Sequence, residues 1–163
     1  MKRLIVIRHC QTEVSDERKG RSSNRVLSSV GLAQAVLLAT KLSIVIQRAS
    51  SVFLSGYDAP TRQTAEIISK ELVLLGGRSS HRPDQALSPD GFGGMNTALS
   101  LIDNNFNEFD VVAVVTDVIL GSQIPTQYID YGTGSLRLTK IAGAGTALII
   151  DVAARKGSEV FAC

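Results

Sequence analysis

The sequence predicts an α/β fold of three layers, in which helices cover both faces of a mostly parallel β-sheet. Strand-like and helix-like segments alternate along the chain, and no repeat or long linker interrupts them. The strand-like runs are short, apolar and rich in β-branched residues, which is typical of strands buried on both faces. The length of 163 residues is sufficient for one domain with a substantial core. We therefore expect a single domain over residues 1–163.

The predicted strands are recognised by short apolar runs that end at turn residues. Five segments meet this description: Leu4 to Ile7, Ser51 to Leu54, Val111 to Val115, Ser135 to Ile141 and Thr146 to Val152. The third of them is the clearest, because it consists of four valines and one alanine. A Gly-Ala-Gly turn over 143–145 separates the last two.

The first predicted helix follows a polar loop that runs from Cys10 to Ser28. Ser29 is placed as the N-cap, and the helix is expected to continue to about Leu42. Apolar residues recur there at helical spacing, which predicts the face that packs on the sheet. These residues are Leu32, Ala35, Val36, Ala39 and Leu42.

Two further helices are predicted from capping residues and periodicity. In the second, Asp58 is the N-cap and Pro60 lies in the first turn, where the missing N–H of proline costs little. Gly76 and Gly77 end it. The third helix is expected over about Gly94 to Asn105, with four apolar side chains facing inward: Met95, Ala98, Leu99 and Ile102.

The composition excludes several classes of function. A formal net charge of +2 without a dense basic run gives no reason to expect a nucleic acid or an anionic membrane as partner. The apolar run at the N-terminus is too short for a signal peptide or a membrane span, and Cys10 and Cys163 are too few for a disulfide framework. No cluster has metal-ligand spacing, and the Gly-Ala-Gly turn lacks the Gly-Lys-Ser/Thr of a P-loop. We expect a cytoplasmic protein without a metal or an organic cofactor.

Arg8 and His9 come directly after the first strand, where ligands of parallel sheets bind. The turn after Val115 is the second such place. Neutral imidazole is a nucleophile near pH 7, and guanidinium binds phosphate oxygens by paired hydrogen bonds. The pair therefore suits phosphoryl transfer. A partly buried histidine bonded to the backbone is the alternative interpretation of these two residues alone.

Further segments resemble the histidine phosphatase (phosphoglycerate mutase-like) superfamily. Residues 8–13 are similar to its Arg-His-Gly-Glu/Gln-Thr-Glu opening, and residues 27–35 to its Leu-Thr-x-x-Gly-x-x-Gln-Ala helix start. Residues 62–68 resemble its Gln-Thr-Ala-Glu helix, residues 111–117 the strand that presents a second histidine, and residues 133–135 the entry to the next strand. The matches extend over nearly the whole chain. The short length resembles the small bacterial phosphohistidine phosphatases.

The resemblance implies a three-layer phosphoglycerate mutase-like fold and a role for each matched residue. His9 corresponds to the nucleophile that becomes phosphorylated, and Arg8 to a phosphate ligand. The family's second arginine falls at Pro60, and its second histidine falls at Asp117. Arg62 lies two residues further, about 200° around a helix, and reaches phosphate only if the helix start is displaced.

Three positions thus depart from the family pattern. A carboxylate at Asp117, about 4 to 5 Å from a phosphoryl dianion, would repel it by a few kcal/mol at an effective dielectric near 20. The charge would have to be neutralised by a proton or a cation. Pro60 supplies no donor, and Cys10 adds a side chain where the family keeps a glycine. Arg21 or Arg25 could supply the lost guanidinium from the loop, with solvation as the alternative role.

Two hypotheses follow. The first is a phosphatase that hydrolyses a phosphomonoester or phosphohistidine through phospho-His9, with Asp90 or Asp117 serving the leaving group. Asp90 lies near where some family members place an acid, although a Pro-Asp-Gly turn explains it as well. Its substrate would be a phosphorylated small molecule or a phosphoprotein. The second is a non-catalytic relative that binds a phosphorylated ligand or a protein partner.

Overall fold

The computed structural model describes residues 1–14, 25–89, 94–129 and 143–161. The described strands are β1 (Arg3–Arg8), β2 (Ser50–Ser55), β3 (Arg78–Pro83), β4 (Val111–Thr116), β5 (Thr146–Asp151) and β6 (Lys156–Phe161). The described helices are α1 (Ser29–Ile46), α2 (Ala59–Leu74), α3 (Gly94–Asn105) and α4 (Val118–Tyr128), with a short 3₁₀ turn at Gln85–Leu87.

The six strands form one sheet in the order β3-β2-β4-β1-β5-β6. The pairs β1–β4, β2–β3 and β2–β4 are parallel, whereas β5 and β6 join in antiparallel orientation. One apolar cluster packs α1 and α2 on one face of the sheet, and a second packs α3 and α4 on the other. The predicted three-layer α/β fold is confirmed.

The register of the parallel strands determines where the site is built. Arg8, the last residue of β1, lies opposite Thr116 at the end of β4, and Ser55 at the end of β2 lies opposite Val115. The carboxyl ends of these three strands therefore lie side by side. The residues that follow these strands lie together at the carboxyl ends of the sheet, where ligands bind in an α/β fold.

Helix α1 begins and ends differently from the prediction. Ser28 is the N-cap, not Ser29: its hydroxyl accepts the backbone N–H of Gly31 at 3.0 Å. The helix also continues past Leu42 to Ile46, because the sequence contains no glycine or proline there to stop it.

The buried face of α1 is rotated from the predicted stripe. Leu32 and Val36 are 46% and 41% exposed, so their assignment to the core was wrong. Two thirds of the residues of α1 are apolar and they occur on both sides of the helix, so the periodicity did not distinguish its two faces. The buried positions are Gly31, Ala35, Leu38, Ala39, Leu42 and Ile46.

Strand β3 was not predicted. The polar Ser-Ser-His-Arg-Pro stretch that contains His81 is interpreted from the sequence as a surface loop, and this interpretation is wrong. His81 lies on β3, is half-buried, and places its Nε2 atom 2.8 Å from the hydroxyl of Ser55. The sequence of β3 is polar because it is at the sheet edge, where backbone pairing with β2 holds it without an apolar alternation.

The remaining predictions concern the second half of the chain. Helix α3 and strands β4 and β5 are confirmed, with β5 ending at Asp151. Helix α4, which contains Pro125, and strand β6 were missed. The predicted strand from Ser135 to Ile141 lies outside the described residues.

By length and composition, helix α1 could cross a membrane. It is the one helix of the described residues that meets these two criteria. One third of it is buried inside the domain. Its buried positions pack against β1, β2 and β4 in the same cluster as Phe53. A core helix of an α/β domain satisfies the same criteria.

The surroundings of His81 predict a pH-dependent stability. Burial lowers its pKa below the ordinary value of 6.5; Glu66 opposes this shift and Arg62 adds to it. The folded state therefore binds the proton less readily than the unfolded chain, so the stability from this group is present above about pH 6.5 and is lost as the pH falls further. We expect the Tm to fall less between pH 7 and pH 5 in His81→Gln than in the native protein. Equal pH dependences in thermal unfolding would contradict this.

Candidate active site

A cavity of about 240 Å³ lies at the carboxyl ends of β1, β2 and β4. Its described walls come from both turns that the sequence indicated and from the start of α2. They are formed by His9, Thr12, Arg25, Asp58, Pro60, Pro89 and Asp117. The cavity thus combines an imidazole, a guanidinium and two carboxyl groups.

The backbone fixes both the position and the tautomer of His9. Its N–H donates to the carbonyl oxygen of Thr116 at 3.1 Å, which ties the turn after β1 to the end of β4. Its Nδ1 atom lies 2.9 Å from the carbonyl oxygen of Cys10. A carbonyl can only accept, so Nδ1 carries the proton and Nε2 of the neutral ring carries the lone pair. The ring is therefore prepared to act as a nucleophile through Nε2.

Side chains of the sequence motifs hold the loop that follows His9. The hydroxyl of Thr64 accepts the N–H of Cys10 at 3.1 Å. The side-chain carbonyl of Gln34 accepts the N–H of Gln11 at 2.9 Å, and that of Gln63 accepts the N–H of Leu27 at 2.8 Å. The described wall of this cavity does not include Thr64, Gln34 or Gln63, which contact the loop through its backbone.

Two glycines allow the backbone to approach this loop closely. Gly31 lies against Gln11, whose carbonyl also accepts the N–H of Ser28 at 3.0 Å. Gly145 has a φ of 71°, a conformation that favours glycine, and its N–H contacts the carbonyls of Arg8 and His9 at 3.2 and 3.3 Å. The turn before β5 therefore holds the backbone of Arg8 and His9 through this N–H group.

Arg8 lies beside the cavity rather than in its wall. Its side chain is half-buried at the end of β1, and its Nε atom is buried without a hydrogen-bond partner among the described residues. A buried donor without a partner is costly, so a bound anion is a favourable partner for this guanidinium.

Arg25 supplies a guanidinium in the cavity wall itself. It lies just before the bridge between Leu27 and Thr12, which brings the end of the loop next to the segment after His9. Its Nε atom is also buried without a partner in the described part of the chain. From the sequence, Arg25 could either replace the missing guanidinium or be solvated, because a position in a loop does not show where the side chain lies.

Of the other candidates, the structure describes only Arg62, and it does not lie in the cavity wall. Arg62 is exposed on α2, near Glu66 and His81, and the cavity wall does not include it. Arg21 and Asp90 lie outside the described residues. The placement of α2 therefore gives no support to a phosphate contact from Arg62.

Asp117 lines the cavity but is engaged by its own helix. Its Oδ1 accepts the backbone N–H groups of Ile119 at 3.0 Å and Leu120 at 3.1 Å, and so caps α4. Within the described ranges it makes no ion pair with Arg8 or His9. Among the described residues, the Asp117 carboxylate is therefore bonded to the start of α4 and not to Arg8 or His9.

Cys10 does not reduce the space of the cavity. Its side chain is fully buried in the cluster of α1 and α2, and the described cavity wall does not include it. No group of three or more His, Cys, Asp or Glu residues in the described ranges could hold a metal ion.

No protein-family model matches this sequence, and no curated protein is significantly similar to it. Solved structures are similar in three dimensions. A SixA protein histidine phosphatase complexed with tungstate has a TM-score of 0.70 at 18% identity, covering 98% of this chain and 94% of its own. A candidate phosphohistidine phosphatase SixA from Agrobacterium tumefaciens has a TM-score of 0.68 at 21% identity, covering 92% and 91%.

A mycobacterial glucosyl-3-phosphoglycerate phosphatase has a TM-score of 0.63 at 15% identity, with 91% of this chain and 89% of that protein covered. The similarity therefore includes nearly the full length of proteins with different phosphorylated substrates. Together with the strand order and the position of the cavity, it shows that this chain has the histidine phosphatase (phosphoglycerate mutase-like) fold.

Proposed function

We propose that this protein is a phosphatase that hydrolyses a phosphomonoester or a phosphohistidine through a phospho-His9 intermediate. The Nε2 lone pair attacks phosphorus, and a P–N bond forms. The bond to the leaving oxygen or nitrogen breaks, and that atom takes a proton. Water then attacks phosphorus, the P–N bond breaks, and inorganic phosphate leaves with His9 restored.

The single observation that carries the proposal is the guanidinium of Arg25 in the same cavity wall as His9. Phosphoryl transfer depends mainly on positioning and on compensation of charge at the phosphoryl oxygens. The departure at Pro60 removes one cation from the family pattern, and Arg25 replaces it from the loop. Arg8, with its buried unpartnered Nε, is proposed as the second cation.

Asp117 is compatible with this function because its charge faces the end of α4. Both of its hydrogen bonds come from N–H groups in the first turn of that helix, where the partial positive charge of the helix offsets a carboxylate. The repulsion expected from the sequence is reduced by this arrangement. We propose a phosphorylated small molecule or a phosphoprotein as the partner, and a cytoplasmic location.

Replacing Arg25 and, in a separate variant, Arg62 tests the proposal. Arg25→Gln should lower kcat/KM for phosphate release by about 10² to 10³-fold, because one preorganised donor to the transition state is lost. Arg62→Gln is the matched control: it removes the same charge from an exposed position outside the cavity and should change the rate less than about threefold. The assay measures phosphate release from a phosphohistidine peptide and from p-nitrophenyl phosphate.

Two results would overturn the proposal. Equal losses in both variants would show that Arg25 contributes only general charge. Release by the native protein no faster than in buffer would remove the enzymatic function for these substrates and leave the binding role.

A further inference from the structure

We propose that the cavity selects a phosphorylated small molecule that carries an ammonium group close to its phosphate. This inference rests on the proposed function and names the substrate class of the same site. The residue that carries it is Asp117, whose carboxyl group lines the cavity at the position where the family pattern has a second histidine.

The charges around the cavity do not favour a plain phosphate dianion. The described wall holds one guanidinium, that of Arg25, and two carboxyl groups, those of Asp58 and Asp117. Arg8 lies beside the cavity as a second guanidinium. With the neutral imidazole that attack requires, these cations and anions are equal in number. A ligand whose own cation offsets part of its phosphate charge is therefore more complementary to this site than a dianion is.

One oxygen of Asp117 is available to such a cation. Oδ1 accepts the backbone N–H groups of Ile119 and Leu120, which fixes the carboxyl group at the start of α4. Oδ2 has no hydrogen-bond partner among the described residues and, unlike Oδ1 of Asp58, is not buried. An accessible carboxylate oxygen on a cavity wall is a strong acceptor for an ammonium group.

The cations of the described residues do not pair with this oxygen. Their ion pairs join residues elsewhere on the surface, and Asp117 forms none with Arg25 although both line the same cavity. One cavity thus presents a guanidinium and a carboxylate that are not paired with each other. A ligand with both charges satisfies both groups, because its phosphate binds the guanidinium and its ammonium binds the carboxylate.

The size of the cavity limits the distance between the two charges of the ligand. Its volume of about 240 Å³ is below the roughly 300 to 1,000 Å³ of pockets for drug-sized ligands. Phosphorus has to lie next to Nε2 of His9 for attack, so an ammonium that reaches Asp117 is only a few bonds from the phosphate. The compound 2-aminoethyl phosphate meets this requirement, and its leaving group in the proposed reaction is an amino alcohol.

Two phosphates of the same shape test the inference: 2-aminoethyl phosphate, and propyl phosphate, which has a methyl group in place of the ammonium. The measurement is the ratio of their kcat/KM values for phosphate release, compared between variants so that the different reactivities of the leaving groups cancel. Asp117→Asn should lower this ratio about 10- to 100-fold, because a charged hydrogen bond to the ammonium is lost. Asparagine is also a good N-cap, so the Tm should not change.

Asp84→Asn is the matched control. Asp84 is also an N-cap, with its Oδ1 2.8 Å from the backbone N of Ala86, and the described cavity wall does not include it. The ratio should change less than about threefold in this variant. An unchanged ratio in Asp117→Asn, or an equal fall in both variants, would overturn the inference, whereas release from propyl phosphate would still support the proposed function.

Binding without turnover separates the inference from the proposed function. His9→Ala lacks the nucleophile, and calorimetry gives its Kd for each compound. We expect 2-aminoethyl phosphate to bind about 10- to 100-fold more tightly than propyl phosphate, and this difference to disappear when Asp117→Asn is added. Equal affinities would refute the inference even in an active phosphatase. The expected difference in a protein that releases no phosphate would support the inference and refute the proposed function.

Discussion

Replacing His9 by alanine should reduce phosphate release by at least about 10³-fold. Loss of a covalent nucleophile removes the reaction path itself, and what remains comes from binding alone. The structure gives the reason for choosing this residue: Nδ1 contacts the carbonyl of Cys10, so the nucleophilic lone pair is on Nε2. The effect should appear in kcat more than in KM, because the arginines that we propose as phosphate ligands stay in place.

The chain offers a direct control for this variant. Its other histidine, His81, lies on the edge strand and lines a different groove. His81→Gln should therefore release phosphate at nearly the native rate. If His9→Ala keeps the native rate, or if both histidine variants lose the same fraction of it, His9 is not the nucleophile.

Replacing Gly31 by alanine should both destabilise the fold and inactivate the site. The added Cβ would collide with the carbonyl oxygen of Gln11 and lie 2.9 Å from its carbonyl carbon. Neither backbone can shift freely, because Ser28 and Gln34 hold Gln11 through hydrogen bonds. We expect a loss of about 3 kcal/mol or more in the free energy of unfolding, or roughly 10 °C in Tm.

The same collision would move the loop that begins at His9, so activity should fall even at temperatures where the variant is folded. Gly143→Ala is the control. Among the described atoms, the added Cβ would have only the Thr146 hydroxyl within 4 Å, at 3.8 Å, and the φ of Gly143 is not positive. A Gly31→Ala protein with native Tm and native activity would show that the contact between α1 and this loop is not required.

Much of the fold was predictable because burial leaves a periodic pattern. The valines of β4 and the Asp58–Pro60 start of α2 identify their elements directly. Strand β3 was not predictable, because an edge strand is held by backbone pairing and can be polar. The face of α1 was misassigned at Leu32 and Val36, since apolar residues lie on the exposed side of this helix as well as on the buried side.

The candidate site, too, was predictable only in part from the sequence. His9 was identified because it follows an apolar strand. The register of β1 and β4 explains why Asp117 lines the same cavity as His9. The wall position of Arg25 depends on how the loop returns to Thr12, which local sequence does not encode. The capping of α4 by Asp117 was not predicted, because that helix was missed from the sequence.

Direct detection of phospho-His9 tests the central claim most simply. The native protein is mixed with a phosphohistidine peptide or p-nitrophenyl phosphate, quenched at alkaline pH to preserve the P–N bond, digested, and analysed by mass spectrometry. We predict one phosphoryl group on the peptide that contains His9, absent in His9→Ala and lost when the substrate is exhausted. Phosphate release without a phosphoryl group on His9, or with one on another residue, would contradict the account.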